Sequence, residues 1–162
     1  MSKPDLSTYG GRLRDLGYAG QIIDENPCTI EAKTNDLTVA IDFGVAVARS
    51  AADNTCKAPT ADGDKILGIS IRHAIRPAST DGNNTVNYAQ RDIVPILKDG
   101  YIYANAYENA TRGDGVISVT AQNGKLGSTT GGAAGAGRVA VPGATWETTT
   151  TAGSIGIIRI NN

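Results

Sequence analysis

The sequence predicts an all-β protein, an antiparallel jelly-roll-like sandwich or barrel preceded by an extended N-terminal arm. Three observations lead there. Beyond residue 34, short apolar runs follow one another with turn signals between them, and nothing helical of useful length intervenes. Glycine is abundant, at 20 of 162 residues, as many tight turns require. The opening third, by contrast, has no usable periodicity: Tyr18-Ala19-Gly20-Gln21-Ile22-Ile23-Asp24-Glu25-Asn26-Pro27 reads neither as a strand nor as a helical face. The chain thus divides into an arm over residues 1–33 and a β domain over residues 34–162.

In the arm, Leu13, Leu16, Ile22 and Ile23 are apolar, but Gly10, Gly11, Gly17 and Gly20 break any helix through them. Asn26-Pro27 forces an extended or turn conformation at its end. An arm of this kind is expected to find its order on another molecule.

The strands then begin. Val39 to Phe43 leads through Gly44 into Val45-Ala46-Val47-Ala48-Arg49, where larger and smaller residues alternate. Ser50 to Lys57 reads as a polar connection and Pro59 to Asp64 as a turn. Leu67, Ile69 and Ile71 alternate with Gly68, Ser70 and Arg72, a half-buried strand. Arg76 to Ala89 is a polar excursion around the turn Asp81-Gly82-Asn83-Asn84. Ile93 to Leu97 is a strand in which Pro95 needs an edge or bulge position. Asp99-Gly100 is expected to turn it back into Tyr101 to Ala106 as a hairpin. Gly113-Asp114-Gly115 precedes a strand from Val116 to Ala121, and Asn123-Gly124 follows as a tight turn. Ser128 to Gly137 reads as a mobile Gly/Ala/Thr loop. Val139 to Val141, Ala144 to Thr148 and Ile155 to Ile160 supply the closing strands. Strands at this spacing argue a sandwich or barrel, and no repeat suggests a solenoid or propeller.

Composition narrows the function. With one Phe, one Trp and six Tyr, the core must be built mostly from Val, Ile, Leu and Ala. A chain of this length buries ~70% of its unfolded surface and needs no disulfide or metal to fold. A net charge of −1 with scattered signs argues against a nucleic-acid binder, which carries a basic excess. No run approaches the ~20 apolar residues of a membrane span. Met1-Ser2-Lys3-Pro4-Asp5 lacks the apolar core of a signal peptide, so a cytoplasmic site of synthesis is expected. Cys28 and Cys56 have no metal-ligand spacing and are expected to be buried free thiols.

No constellation of residues points to catalysis, and no cofactor is expected. His73 is the single histidine, at the end of an apolar strand without a second ligand to complete a metal set. Asp62-Gly63-Asp64 lacks the further oxygens of a calcium loop and reads as a turn. Asp24-Glu25 fits polar contacts with a partner better than acid/base work. The string Gly131 to Gly137 opens no helix and reads as a flexible loop. Tyr101, Tyr103 and Tyr107 share a strand face that suits either a protein contact or sugar stacking.

Several motifs in fixed order resemble a family. Ala19-Gly20-Gln21-Ile22 with Asp24 and Asn26-Pro27, then Phe43-Gly44 leading into Val45-Ala46-Val47, resembles the structural cement proteins of tailed-phage capsids. The likeness continues with Leu67-Gly68-Ile69 and Tyr88-Ala89. It resumes at Ile93-Val94-Pro95-Ile96-Leu97 with Lys98-Asp99-Gly100, at Gly113-Asp114 before Val116, and at Val141-Pro142-Gly143-Ala144. It covers residues 17 to the end, with Gln90-Arg91 standing where the family often has a Gly-Asp turn.

The resemblance implies a non-enzymatic protein on the exterior of an icosahedral shell, made and assembled in the bacterial cytoplasm. It implies the major capsid protein as partner, and the chain itself as a dimer or trimer seated over joints between capsid subunits. The capsid-contact residues it implies lie in the arm: Ile22 as apolar anchor, Gln21 and Asp24 as hydrogen-bonding groups, and Asn26-Pro27 as the turn that aims the arm. The rival reading is a carbohydrate-binding β module using Tyr101, Tyr103 and Trp146.

Overall fold

In the computed structural model, which describes residues 17–23, 27–72 and 87–161, the chain is all-β. A three-residue 3-10 turn, Thr120–Gln122, is the one helical piece among the described residues. Among the described residues eleven strands follow in order: β1 (Thr29–Asn35), β2 (Ile41–Asp42), β3 (Ala46–Arg49), β4 (Thr55–Lys57), β5 (Ile66–Ser70), β6 (Asn87–Tyr88), β7 (Ile93–Asn105), β8 (Gly115–Val119), β9 (Lys125–Ser128), β10 (Arg138–Trp146) and β11 (Ile155–Ile160).

The strands make two structures that share β7. In the first, β1-β4-β3-β5-β7 closes on itself because β1 also pairs with β7, giving a small barrel. In the second, the sheet continues as β7-β11-β10-β8-β9, and Leu126 of β9 bridges back to Ala106 just beyond β7. A short ribbon of β2 and β6 stands apart. The strand ladders are antiparallel except β1–β4, which is parallel at Thr34–Thr55 and Asn35–Cys56.

Two cores result. Ile41, Val45, Val47, Cys56, Ala58, Tyr88, Val94 and Ile96 form one, drawn from the barrel strands and the ribbon. Ala46, Ala48, Ile69, Leu97, Ile102, Ala104, Trp146 and Ile158 belong to the other, between the barrel and the second sheet. The alternation in Val45-Ala46-Val47-Ala48 now has a cause. β3 is buried on both faces, its valines in the first core and its alanines in the second, where small side chains let the two layers approach.

Asp99-Gly100 does not turn the chain. β7 is one strand of 13 residues, and Asp99-Gly100 lies in a bulge opposite Thr29 and Ile30. Thr29 pairs with Asp99 and Ile30 with Leu97, so Lys98 is the extra residue. Gly100 has φ 128°, and bulges use such glycines as readily as turns do. The inserted residue also resets the pleat. Leu97 faces the second core before it, whereas Ile102, Ala104 and Ala106 face that core after it.

Other elements also differ from expectation. β1 runs from Thr29 through residue 33, across the division drawn between arm and domain; its exposed apolar residues hid its period. Thr55–Lys57, read as connection, is β4, and Asn87–Tyr88, within the polar excursion, is β6. The two runs at 139–141 and 144–148 are a single strand, β10, whose pairing with β8 is shifted between Ala140 and Thr145. Pro95 occupies neither an edge nor the bulge. It lies opposite Ala32, one residue past the last β5–β7 pair, and its carbonyl accepts from the Ile71 amide at 2.8 Å.

Close layer contact sets the sharpest steric demand. A Cβ placed on Gly68 would fall on the Leu97 carbonyl oxygen and within 2.9 Å of the Ile96 side chain. Gly68→Ala is therefore expected to destabilise the fold by about 3 kcal/mol in urea titration, the upper end of overpacking penalties. Gly63→Ala, where a Cβ meets nothing within 4 Å, is expected to stay within ~0.5 kcal/mol of the parent.

Candidate interaction surface

The described part of the arm is bound to the chain's own body. Residues 18–23 lie along β7 as an additional strand: the Gly20 and Ile23 amides donate to the Tyr103 and Tyr101 carbonyls at 2.7 and 3.1 Å, and the Tyr103 amide donates to Gln21 O at 2.9 Å. Ile22 bridges Ile102 and packs against the second core. The expectation that the arm finds its order on another molecule is not met by this segment, which is ordered on its own domain. The reason is that β7 has free hydrogen-bonding groups on the side not used by β11, and the segment supplies their partners.

Three features fit the segment to its place. Gly20 and Gly44 cross at close range, so that a Cβ on Gly20 would lie 3.0 Å from Gly44 N and 2.7 Å from Arg72 N. Gly20 itself has φ 83°. Beside the crossing, the Arg72 amide donates to Gly20 O at 2.7 Å. The Arg72 guanidinium lies 4.7 Å from the Tyr18 ring and 5.8 Å from the Phe43 ring, a cation–π clamp that joins arm to barrel.

The arm residues singled out by sequence therefore separate. Gln21 is exposed, its Oε1 accepting from the Tyr18 amide at 3.2 Å. Ile22 is half-buried and spends its apolar surface inside the molecule. Pro27 is exposed. Asp24 and Asn26 lie outside the described residues, as does His73.

The tyrosines do not form a free strip. Tyr101 and Tyr103 are half-buried; Arg159 lies 5.8 Å from the Tyr101 ring, and the Tyr103 ring packs where a Cβ of Gly17 would otherwise stand. Tyr107 is exposed beside Lys125, at the rim of a cleft of about 340 Å³ also lined by Phe43 and Asn105. Trp146 cannot stack on a sugar. It is wholly buried, and its indole N–H donates to the Gly127 carbonyl at 3.0 Å.

The Gly-rich segment is built around an ion pair that sequence reading missed. Arg138 grips Glu108 with both terminal nitrogens, at 2.5 and 2.7 Å, and also donates to the Ser128 and Gly132 carbonyls. Glycine is required nearby: a Cβ on Gly131 would fall on Glu108 Oε2, and one on Gly127 would lie 2.6 Å from it. The partners are 30 residues apart, so no local pattern announces them. The Arg138 hydrogen bonds hold the Glu108 carboxyl below the usual range, against a smaller opposing effect of burial.

Little else on the surface is chemically poised. Burial, with Asp36 nearby, pushes the Cys56 thiol up to about 12, which leaves it inert. Cys28 is exposed, contrary to expectation. Among the described residues no group of three or more His, Cys, Asp or Glu could hold a metal ion, and no helix is long and apolar enough to cross a membrane.

These observations define an all-β protein with a strand from its N-terminal arm docked along β7. Residues 6–161 match the family described as Structural cement protein (E217 gp24/Pam3 gp6). The chain belongs to this family of phage structural proteins, which are components of the virion capsid. Among solved structures it is similar to a chain of the capsid of Myoviridae phage XM1, with a TM-score of 0.65 and 18% identity over 90% of each chain. No curated protein matches it.

Two outcomes follow. Arg72→Ala is expected to speed hydrogen exchange at the Gly20, Ile23 and Tyr103 amides while leaving β10 and β11 protected, measured by exchange mass spectrometry. Glu108→Gln is expected to cost about 2 kcal/mol at pH 7, between the values for exposed and buried pairs. Because the folded carboxyl is shifted down, its contribution is complete above the ordinary Glu value of about 4.3 and is lost as pH falls through the lower folded value. Urea midpoints for parent and variant should therefore converge as pH falls below the ordinary Glu value and through the lower folded one.

Proposed function

We propose that the protein cements a tailed-phage capsid from the outside, bridging major capsid protein subunits and reinforcing the shell against the pressure of packaged DNA. The family match over residues 6–161 carries this reading. The physical logic is that pressure loads the seams between subunits, and a rigid body bound across a seam adds buried area where the shell is weakest. A standard stable interface buries ~1,600 Å², more than a short arm offers by itself.

The docked arm suits this role in a particular way. Its cross-linking to β7 and the Arg72 clamp hold residues 18–23 in place before any partner arrives, so less ordering entropy is lost on binding. Gln21 and Pro27 offer exposed groups to the major capsid protein, with Asp24 and Asn26 between them in sequence. Ile22 acts from beneath by fixing the segment to the body. A dimer or trimer would repeat these contacts at symmetry-related joints.

Co-sedimentation with shells assembled from the major capsid protein of the same phage tests the reading. Saturable binding at a fixed ratio to capsid subunits is expected, with heat resistance of the shells raised. Replacing Gln21 and Pro27 together by Ala should weaken binding on the order of tenfold, as removal of one modest contact cluster does. Absence of saturable binding would remove the cement role; unchanged binding by the double variant would remove the arm from the contact.

A further inference from the structure

We propose that the cleft at the end of β7 is a carbohydrate-binding site, taking a neutral pyranose whose C–H face stacks on Tyr107. The cleft holds about 340 Å³, within the range of small-ligand sites. Three pieces of chain meet there: Asp42 to Val45 between β2 and β3, Asn105 to Tyr107 where β7 ends, and Lys125 at the start of β9. Its framework is fixed before any ligand arrives. Val45 and Ala106 are buried, and the nearby backbone groups are already paired. The Gly44 amide donates to the Ser70 carbonyl at 2.9 Å, and the Tyr107 and Gly153 amides donate to the Leu126 and Ala106 carbonyls, both at 2.7 Å. The Phe43 ring is held edge-on against the buried Tyr88, with centroids 5.1 Å apart. A rigid site of this kind loses little entropy when it is filled.

The exposed side chains select the ligand. Asp42, Asn105 and Lys125 are exposed, and Tyr107 is 40% exposed. Among the described residues the Asp42 and Asn105 side chains have no hydrogen-bond or ion-pair partner, and the Lys125 ammonium lies 5.8 Å from the Tyr107 ring. One carboxylate and one ammonium leave the cleft with no net charge, which disfavours a phosphate or nucleotide. A lone carboxylate supplies too few oxygens for a divalent cation. An apolar ligand would strip water from Asp42, Asn105 and Lys125 without replacing their hydrogen bonds. A pyranose meets each demand. Its hydroxyls donate to Asp42 and accept from Lys125 or the Asn105 amide, while its C–H face covers an aromatic ring. Tyr107 is the ring free to serve: Trp146 is wholly buried, and Tyr101 and Tyr103 are half-buried. A charged sugar gains nothing over a neutral one, because Asp42 offsets Lys125.

The site goes beyond the capsid role, and its test uses the free protein, so either can fail while the other stands. The isotope-labelled full chain is titrated with methyl β-galactopyranoside, methyl β-glucopyranoside and methyl β-glucuronide, followed by amide NMR. At least one neutral glycoside should shift the Gly44, Ala106, Tyr107 and Gly153 amides saturably, with a dissociation constant on the order of millimolar, as suits so small a ligand. Tyr107→Ala and Asp42→Ala should each weaken binding on the order of tenfold. Tyr107→Phe keeps the ring and should bind within about twofold of the parent. Tyr101→Ala should bind like the parent. Amide spectra of the variants away from the cleft should overlay those of the parent, which separates a lost contact from a lost fold. Absence of saturable shifts at these amides up to about 100 mM of both neutral glycosides would overturn the proposal. So would unchanged binding by Tyr107→Ala, or tighter binding of the glucuronide than of either neutral sugar.

Discussion

Everything in this molecule hangs on β7 remaining one strand through its bulge. Its first half closes the barrel against β1 and β5; its second half begins the outer sheet against β11. One strand can serve two layers only if its apolar residues face a core in both. The extra residue at Lys98 accomplishes that by changing which positions point to the second core. Gly68 is where β5 backbone must pass close to the β7 backbone, and Gly100 is where β7 passes the Cys28 side chain. The rest of the fold is layered around that line.

The arm depends on the same strand. β7 lends its unused edge to residues 18–23, and Arg72, at the end of β5, closes over Tyr18. Barrel, outer sheet and arm are thereby joined at one place. The Gly-rich segment is secured at the far end of the molecule by Arg138 and Glu108, so glycine there serves close packing around a carboxylate.

Much of this was legible in the sequence because alternation and turn residues are local signals. The all-β class, the strands β3, β5, β8 and β11, and the family resemblance all follow from them. Non-local facts were hidden. Asp99-Gly100 has the same chemistry in a bulge as in a hairpin, and only pairing with Thr29 and Ile30 separates the two. β1 escaped notice because Ile30 is exposed, which blurs its period. Arg72 and Arg138 find partners far away in sequence. Trp146 read as a possible sugar platform because sequence cannot show that a ring is covered. Of the arm, Gln21 and Pro27 could be placed at the surface and Ile22 within, a distinction that rests wholly on the edge of β7.

The central claim is that this body sits on the outside of a phage capsid across subunit joints. Cryo-electron microscopy of the intact virion tests it most directly. The account predicts density on the outer surface, at fixed symmetry positions, into which the barrel and outer sheet fit with the arm segment against neighbouring capsid subunits. A shell whose outer surface lacks this density, or density that contacts only one capsid subunit, would contradict it.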